Sequence, residues 1–274
     1  MKKHVLFIIL NWFCVINLYG QNDTISNFLK LKYKANSSVS NYNLACLYAQ
    51  NNFVDSAFKY LNYSIDLGEK DGYALYDSDL ILLHSDTQWI AIRNKINSIF
   101  LNENACTDTA TLLKLREFFL IDQSLRYELE MENFTLEAKS KFNLLDSINI
   151  YSLDSYLDKS TLPTKKEIGE QGMNYMFMFL LHISYALKLK YEPYFLNRLK
   201  NGDFNLKQKA FFVDKMLISQ GKKQRYGTQL EFVRSENRIR MKQVENINNL
   251  NILRKEMGLE SIEDYLNWNN ATIE

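Results

Sequence analysis

The chain has 274 residues and a formal net charge of +1 at pH 7, and 46% of its residues are hydrophobic. This length allows one large domain or two small ones. The balanced charge argues against a nucleic-acid-binding protein, which usually has a basic excess, and gives no polybasic attraction to anionic membranes. Because only two prolines interrupt the chain, helix is the favoured secondary structure for most of its length.

The first predicted element is a secretory signal peptide over residues 1–20. Two lysines precede an apolar run at residues 5–16, and hydrophilic residues take over after the small residue Gly20. This order is typical of a cleaved export signal, and the run is shorter than the roughly 20 residues that a membrane-spanning helix needs. We therefore expect an exported protein, periplasmic or extracellular, whose mature chain begins near Gln21.

Residues 41–69 are predicted to form two antiparallel helices within a first unit at residues 21–103. Small side chains at Ala45 and Ala57 allow the helices to approach closely, and Asn52 takes the turn between them. The segment resembles a tetratricopeptide repeat, and the matching residues are Leu44, Ala45, Tyr48 and Ala57. It departs from the repeat at Asn41, Leu61, Ser64 and Glu69.

A single repeat of this kind cannot bury its apolar face alone. We therefore expect residues 72–100 to pack on the helical pair as a cap. The resemblance implies a surface that binds a peptide or protein partner.

The second predicted unit, residues 104–274, is a compact multi-helix domain with a small β-hairpin near the C-terminus. Pro163 breaks the helical pattern, and Gly221 is a favourable residue after a helix end. Residues 226–233 alternate like a strand, with residues 238–244 as the predicted partner. Helices are predicted over residues 108–139, 146–158, 175–187, 206–219, 247–257 and 261–268. The predicted fold class is therefore mostly α.

Four ionisable side chains lie in the middle of apolar helix faces in this second unit. Asp122 and Arg126 share a face with leucine and phenylalanine residues, and His182 and Asp214 have apolar neighbours at spacings of three and four. Burying such groups without partners is unfavourable by several kcal/mol. We therefore expect them to meet in one polar site. The alternative is an ordinary i, i+4 ion pair together with separate, satisfied core residues.

The same residues carry a resemblance to a known family. The ordered residues are Asp122, Gln123, Arg126, Pro163, Gly169, His182, Asp214, Gln224, Tyr226, Gly227, Thr228 and Gln229. They resemble the signature DQxxR, GWP, QH, D and QxYGTQ of an uncharacterised bacterial domain family, over residues 109–268. Leu162 stands where that signature has tryptophan, and Leu181 where it has glutamine. The family has no settled activity, so the resemblance implies site positions and no reaction.

Two functions follow from this set of residues. The first is an exported cell-envelope binding or scaffolding protein that holds a small polar ligand or a peptide. The alternative is a hydrolase-like enzyme in which His182 acts as base, Asp122 and Asp214 as orienting acids, and Arg126 as anion clamp. The predicted ligand-binding residues are Gln123, Arg126, Gln224, Tyr226, Thr228 and Gln229.

No cofactor or metal is predicted, because the sequence lacks a phosphate loop, a dinucleotide fingerprint, a GxSxG elbow and HExxH spacing. Cys46 and Cys106 have no local basic environment, which makes them poor nucleophiles. Export would permit a disulfide between them, whereas the apolar surroundings of Cys46 favour a small buried residue. Their pairing stays open at this point.

Overall fold

The computed structural model describes residues 37–69, 72–158, 162–233, 236 and 238–273. The described chain is mostly helical with a small sheet near the C-terminus, which confirms the predicted fold class. The predicted signal peptide, residues 1–20, lies outside the described residues. The described residues divide into two compact units between Ala105 and Cys106. None of the described helices combines the length and the hydropathy that crossing a membrane requires.

The first unit contains the predicted helical pair. Its elements are α1 (Ser38–Gln50), α2 (Val54–Asp66), two short 3-10 helices (Tyr73–Leu75 and Ser78–Leu83) and α3 (Gln88–Glu103). The Ser37 side chain caps α1 by accepting a hydrogen bond from the Ser40 amide. Asn52 turns the chain between α1 and α2 with a left-handed φ of 61°. The hairpin and the turn residue are therefore as predicted.

A continuous apolar core joins the helical pair to the segment that follows it. Ala45 and Ala57 are completely buried in this core. The segment contributes Leu80 and Leu83 from the second 3-10 helix, and Trp89 from the first turn of α3. The predicted packing of residues 72–100 on the hairpin is confirmed.

Replacing Ala57 with leucine should overpack the α1–α2 contact and lower the free energy of unfolding by about 1–3 kcal/mol. The added side chain has no space, because Ala57 is fully buried between well-packed neighbours. Chemical denaturation measures the change. Lys59→Leu, at an exposed position of the same helix, is the matched control and should change stability by only about 0.5 kcal/mol. Equal effects from both variants would show that the helices do not meet at Ala57.

The second unit is built from five longer helices followed by a small mixed region. The helices are α4 (Thr109–Met131), α5 (Leu136–Asp158), α6 (Lys165–His182), α7 (Tyr185–Lys200) and α8 (Leu206–Ser219). The mixed region contains β1 (Leu230–Val233), β2 (Arg238–Met241), α9 (Leu250–Glu256), α10 (Ile262–Trp268) and β3 (Ala271–Thr272). The bounds of α8 are those predicted.

Several predicted helix boundaries were wrong. The helix predicted from residue 146 begins at Leu136, the helix predicted from residue 175 begins at Lys165, and α7 was not predicted as a separate helix. The helix predicted to run to residue 139 ends at Met131, because Asn133 and Phe134 both adopt positive φ and turn the chain. The helix predicted over residues 175–187 is interrupted at Ile183, whose extended backbone ends α6. Ser184 then caps the new helix α7. His182 therefore stands at the end of a helix and not in the middle of one.

The predicted hairpin is confirmed with shorter strands, since residues 226–229 and 242–244 lie outside them, and one strand was missed. β1 and β2 pair antiparallel with Leu230 opposite Met241 and Phe232 opposite Ile239. The short strand β3 adds to the free side of β2 in parallel.

Aromatic contacts tie the helices of the second unit together. Phe118 on α4 meets Phe179 on α6 edge to face, with 5.3 Å between ring centroids. Phe195 on α7 stacks on Phe212 of α8 at 4.2 Å. These contacts fix the neighbouring turns of α4, α6 and α8, which carry the ionisable residues singled out by the sequence.

Candidate functional site

Asp122 and His182 form a buried acid–histidine pair. Asp122 is 0% exposed on α4, and its Oδ1 lies 2.8 Å from Nδ1 of His182 at the end of α6. Because the carboxylate only accepts hydrogen bonds, Nδ1 carries the proton that joins the two residues. The ring atom Nε2 has no hydrogen-bond partner within the described part of the chain. The predicted contact between His182 and an acid is confirmed.

Arg126 and Gln123 complete the set of donors around the Asp122 carboxylate. The Arg126 Nη2 atom donates to Oδ1 at 2.8 Å, and its Nε lies 3.1 Å from Oδ2. The Gln123 amide donates to Oδ2 at 2.7 Å. We call Asp122, Gln123, Arg126 and His182 the acid–histidine centre. The fold thus joins three of the four ionisable residues predicted to meet.

The acid–histidine centre reaches the surface on the side of Arg126. The Arg126 side chain is 40% exposed and the His182 side chain 14% exposed, whereas Asp122 is sealed. The guanidinium lies over the Phe142 ring of α5, 5.4 Å from its centroid. This stacking holds the arginine in place while its Nη1 atom has no described partner.

The centre keeps the Asp122 carboxylate ionised. Burial raises the pKa of Asp122, but hydrogen bonds and electrostatic interactions with His182 and Arg126 lower it by more, to about 2. An acid with this pKa is fully charged at neutral pH, so it orients the imidazole through a charge-assisted hydrogen bond.

Asp146 on α5 is a further acid near the centre that the sequence analysis did not select. Its Oδ1 atom is buried and has no hydrogen-bond partner. Burial raises the pKa of Asp146, and the Asp122 charge raises it further. The interactions with Arg126 and His182 lower it by less than this. A sequence signal exists, since Asp146 shares helical spacing with Phe142, Asn149 and Leu153.

Asp214 belongs to a different network, which corrects the prediction that all four ionisable residues share one site. Its Oδ1 accepts hydrogen bonds from the backbone amides of Arg225 at 2.8 Å and Tyr226 at 3.0 Å. Its Oδ2 accepts from the Thr228 amide at 3.0 Å and the Thr228 hydroxyl at 2.9 Å. A fully buried carboxylate therefore serves as the acceptor around which residues 225–228 fold.

The side chains of the same loop are also bonded within the fold. The side-chain amide of Gln224 donates to the backbone carbonyl oxygens of Gln229 and Lys242, at 3.0 and 2.7 Å. The side-chain oxygen of Gln224 accepts a hydrogen bond from the backbone amide of Gln229. The Gln229 side chain donates to the Thr228 hydroxyl at 2.9 Å. These contacts account for the burial of Gln224, Thr228 and Gln229. Their ligand-binding role, and that of Tyr226, stays a prediction.

Arg254 on α9 closes this loop from the other side. The side chain is 1% exposed, and its Nη1 donates to the carbonyl oxygens of Tyr226 and Gly227, at 2.7 and 3.2 Å. Gly227 has a φ of 66°, and a Cβ there would lie 3.0 Å from the sulfur of Met241. The turn therefore requires glycine. Sequence analysis missed Arg254, which lies in the last turn of a short helix whose residue pattern gives little signal.

Among the residues that the structure describes, one group of possible metal ligands is present, in the first unit. Ligand atoms of Cys46, Asp77 and Asp79 lie within 4.8 Å of one another. Asp77 accepts a hydrogen bond of 2.6 Å from the Tyr42 hydroxyl, and Asp79 accepts one of 2.7 Å from Gln50. Protein donors thus already engage both acids. Cys46 and Cys106 are free thiols, and Cys46 is buried as its surroundings predicted.

A hydrophobic groove of about 250 Å³ lies between α4 and α5. Its lining includes Phe118, Ile121, Leu125 and Ile148, and none of the four residues of the acid–histidine centre contributes to it.

Comparisons of the chain with protein-family models, with curated proteins and with solved structures find no match. The two resemblances drawn from the sequence therefore stay predictions.

Proposed function

We propose that the protein is an exported binding protein that holds a small polar ligand at the acid–histidine centre. The observation that carries the proposal is the 2.8 Å bond that fixes His182 Nδ1 and leaves Nε2 without a described partner. Export rests on the signal-like residues 1–20.

The centre offers a ligand one acceptor beside one donor. With Nδ1 protonated, Nε2 of a neutral His182 accepts a hydrogen bond from a hydroxyl or an amine. Arg126 Nη1 donates to a ligand oxygen, since its other two nitrogens are occupied by Asp122. Both side chains are held in position before a ligand arrives, which reduces the entropy lost on binding.

The test is a pair of substitutions that separates the two ring nitrogens of His182. His182→Asn places an amide nitrogen close to the position of Nδ1, so it keeps a donor to Asp122 and removes Nε2. We expect near wild-type stability and loss of the bound ligand. His182→Ala removes both nitrogens and should also lower the free energy of unfolding, by about 1–3 kcal/mol.

Ligand retention is measured by native mass spectrometry of protein purified from its host, and stability by chemical denaturation. His84→Ala, in the first unit, is the control and should keep the ligand. A wild-type protein with no bound small molecule, or a His182→Asn variant that retains it, would contradict the proposal.

A second function, a hydrolase-like enzyme, is supported by the same geometry. An acid that orients a histidine with an open Nε2 is the arrangement used by a general base. Asp146, whose pKa is raised by burial, would be a proton donor close to that base. Turnover of a panel of ester and phosphoester substrates that His182→Asn abolishes would favour this function over binding alone.

For the first unit we propose a peptide or protein partner, as its resemblance to a tetratricopeptide repeat implies. The support is a set of large apolar side chains that the described residues leave exposed: Phe53, Tyr63, Leu67, Ile81 and Ile90.

A further inference from the structure

Two contacts fix how α5 lies against α4 beside the acid–histidine centre. The Phe142 ring of α5 packs on the Arg126 guanidinium, with 5.4 Å between the ring centroid and Cζ. About two turns further along α5, the Asn149 side-chain amide donates to the backbone carbonyl oxygen of Phe118 at 3.0 Å. Because the later residue of α5 meets the earlier residue of α4, the two helices run antiparallel.

This register places Asp146 level with Asp122. Asp146 lies one helical turn from each of the two contact residues on α5, and Asp122 lies one turn from each of the two on α4. Residues three and four apart share a helix face, so Asp146 faces α4 as its two neighbours do. Its Oδ1 atom is buried, in agreement with this direction. Asp146 therefore stands beside the acid–histidine centre.

The Asp146 carboxylate has no counter-charge, although donors are close to it. Its side chain forms no hydrogen bond and no ion pair with any residue that the structure describes. Arg126 gives its Nε and Nη2 atoms to Asp122, and Gln123 gives its amide to the same carboxylate. A buried carboxylate oxygen without a donor is unfavourable. Together with Asp146, the centre has two acids and a single arginine.

Two acceptor atoms of this site are left without partners in the described chain. One is Oδ1 of Asp146, and the other is Nε2 of His182, whose ring is fixed by the bond from Nδ1 to Asp122. A hydroxyl group has one hydrogen, so it can satisfy only one of the two acceptors. An ammonium group has three hydrogens and also supplies a positive charge, which strengthens its hydrogen bond to a carboxylate.

We propose that the ligand carries an amino group whose ammonium form binds the Asp146 carboxylate. His182 Nε2 is the second acceptor, and for that contact the inference rests on the proposed function, which it deepens. Arg126 Nη1 donates to an oxygen atom of the same ligand, since the other two nitrogens of the guanidinium are occupied. The ligand class is therefore a small amine that also carries an oxygen acceptor.

Asp146→Asn tests the amine site, because asparagine keeps the shape of the side chain and removes its charge. The probes are ethanolamine and ethylene glycol, which differ by an ammonium group in place of a hydroxyl. Binding is followed by the NMR shifts of the backbone amides around Asp146 and His182, at constant ionic strength in a buffer without amines. We expect the wild type to bind ethanolamine at least about tenfold more tightly than ethylene glycol.

The variants should divide according to the charge at residue 146. Asp146→Asn should lose the preference for ethanolamine and bind both probes weakly. Glu137→Gln removes a charge at an exposed position of the same helix and should keep the wild-type preference. A wild type without this preference, or an Asp146→Asn variant that keeps it, overturns the amine site.

Thermal melting without probe gives a second measurement. Asp146→Asn should melt no lower than the wild type, because it removes a carboxylate that has no partner. Asp122→Asn should melt lower, because its carboxylate accepts three sets of hydrogen bonds. An Asp146→Asn variant that melts as low as Asp122→Asn would show that the protein itself pairs the Asp146 carboxylate, and this result also overturns the amine site.

These experiments separate the amine site from the proposed function. A ligand retained by the wild type that contains no basic nitrogen contradicts the amine site and leaves the binding function intact. If His182→Asn keeps the preference for ethanolamine while Asp146→Asn loses it, the amine site stands even where the ligand proposal for His182 fails.

Discussion

Replacing Asp122 with alanine lowers the free energy of unfolding by about 3 kcal/mol, the lower end of the range for breaking a buried ion pair. The carboxylate is completely buried and accepts hydrogen bonds from Arg126, Gln123 and His182. Its loss leaves three donors without their acceptor. The effect stays at the lower end because Arg126, at 40% exposure, can turn towards water.

Because the hydrogen bonds to Asp122 favour its charged form, the stability that Asp122 contributes depends on pH. The pKa of Asp122 lies at about 2 in the folded protein, below its ordinary value of 3.8. A lowered folded-state pKa contributes stability above the unfolded value, and this contribution disappears as the pH falls through the folded value. The difference between the wild type and Asp122→Asn should therefore be complete above pH 3.8 and vanish near pH 2.

Urea denaturation at a series of pH values measures this dependence. Glu128→Gln is the control, since its pair with Lys141 is exposed and should contribute about 1 kcal/mol or less. A difference between wild type and Asp122→Asn that does not change with pH would show that the carboxylate charge has no part in stabilising the fold.

Helical periodicity was sufficient to predict the elements that have a clear apolar face and a strong end signal. Residues 206–219 were predicted correctly because Gly221 follows the last apolar position of α8. Asp122 and His182 were paired correctly because each interrupts an apolar face, and buried charges are seldom left without partners. This argument uses only spacing and the electrostatics of burial.

The missed boundaries had no comparable signal. Asn133 and Phe134 turn the chain between α4 and α5 in left-handed conformations without a glycine or a proline. The apolar run through residue 187 concealed the break at Ile183, although Ser184 is a good helix cap. The two-residue strand β3 is shorter than any sequence pattern can detect.

Asp214 shows the limit of the same argument within the site. Its apolar neighbours on α8 indicated burial as clearly as those of Asp122 did. Spacing along a helix cannot distinguish a side-chain partner from a backbone partner, and the acceptor here is used by the amides of residues 225–228. The structure consequently assigns Asp214 to the loop, and a substitution can test that assignment.

Replacing Asp214 with alanine lowers the free energy of unfolding by about 4 kcal/mol, because several buried donors lose their acceptor at about 1–3 kcal/mol each. The donors are three backbone amides and the Thr228 hydroxyl. Asp214→Asn should be nearly as destabilising, since one carboxylate oxygen becomes an NH₂ group facing N–H donors. Asp264→Asn, at an exposed position in the first turn of α10, should change stability by about 1 kcal/mol or less.

Hydrogen exchange gives the local measurement. In Asp214→Asn, the amides of Tyr226 and Thr228 should lose protection while those in the middle of α4 keep it, since Asp122 and Asp214 lie in separate networks. Unchanged protection at Tyr226 and Thr228 would show that Asp214 does not stabilise the loop. An Asp214→Asn variant that kept its stability and lost its ligand would instead support the shared site that the sequence predicted. The reason is that a carboxylate whose role is to bind ligand can be replaced without unfolding the loop.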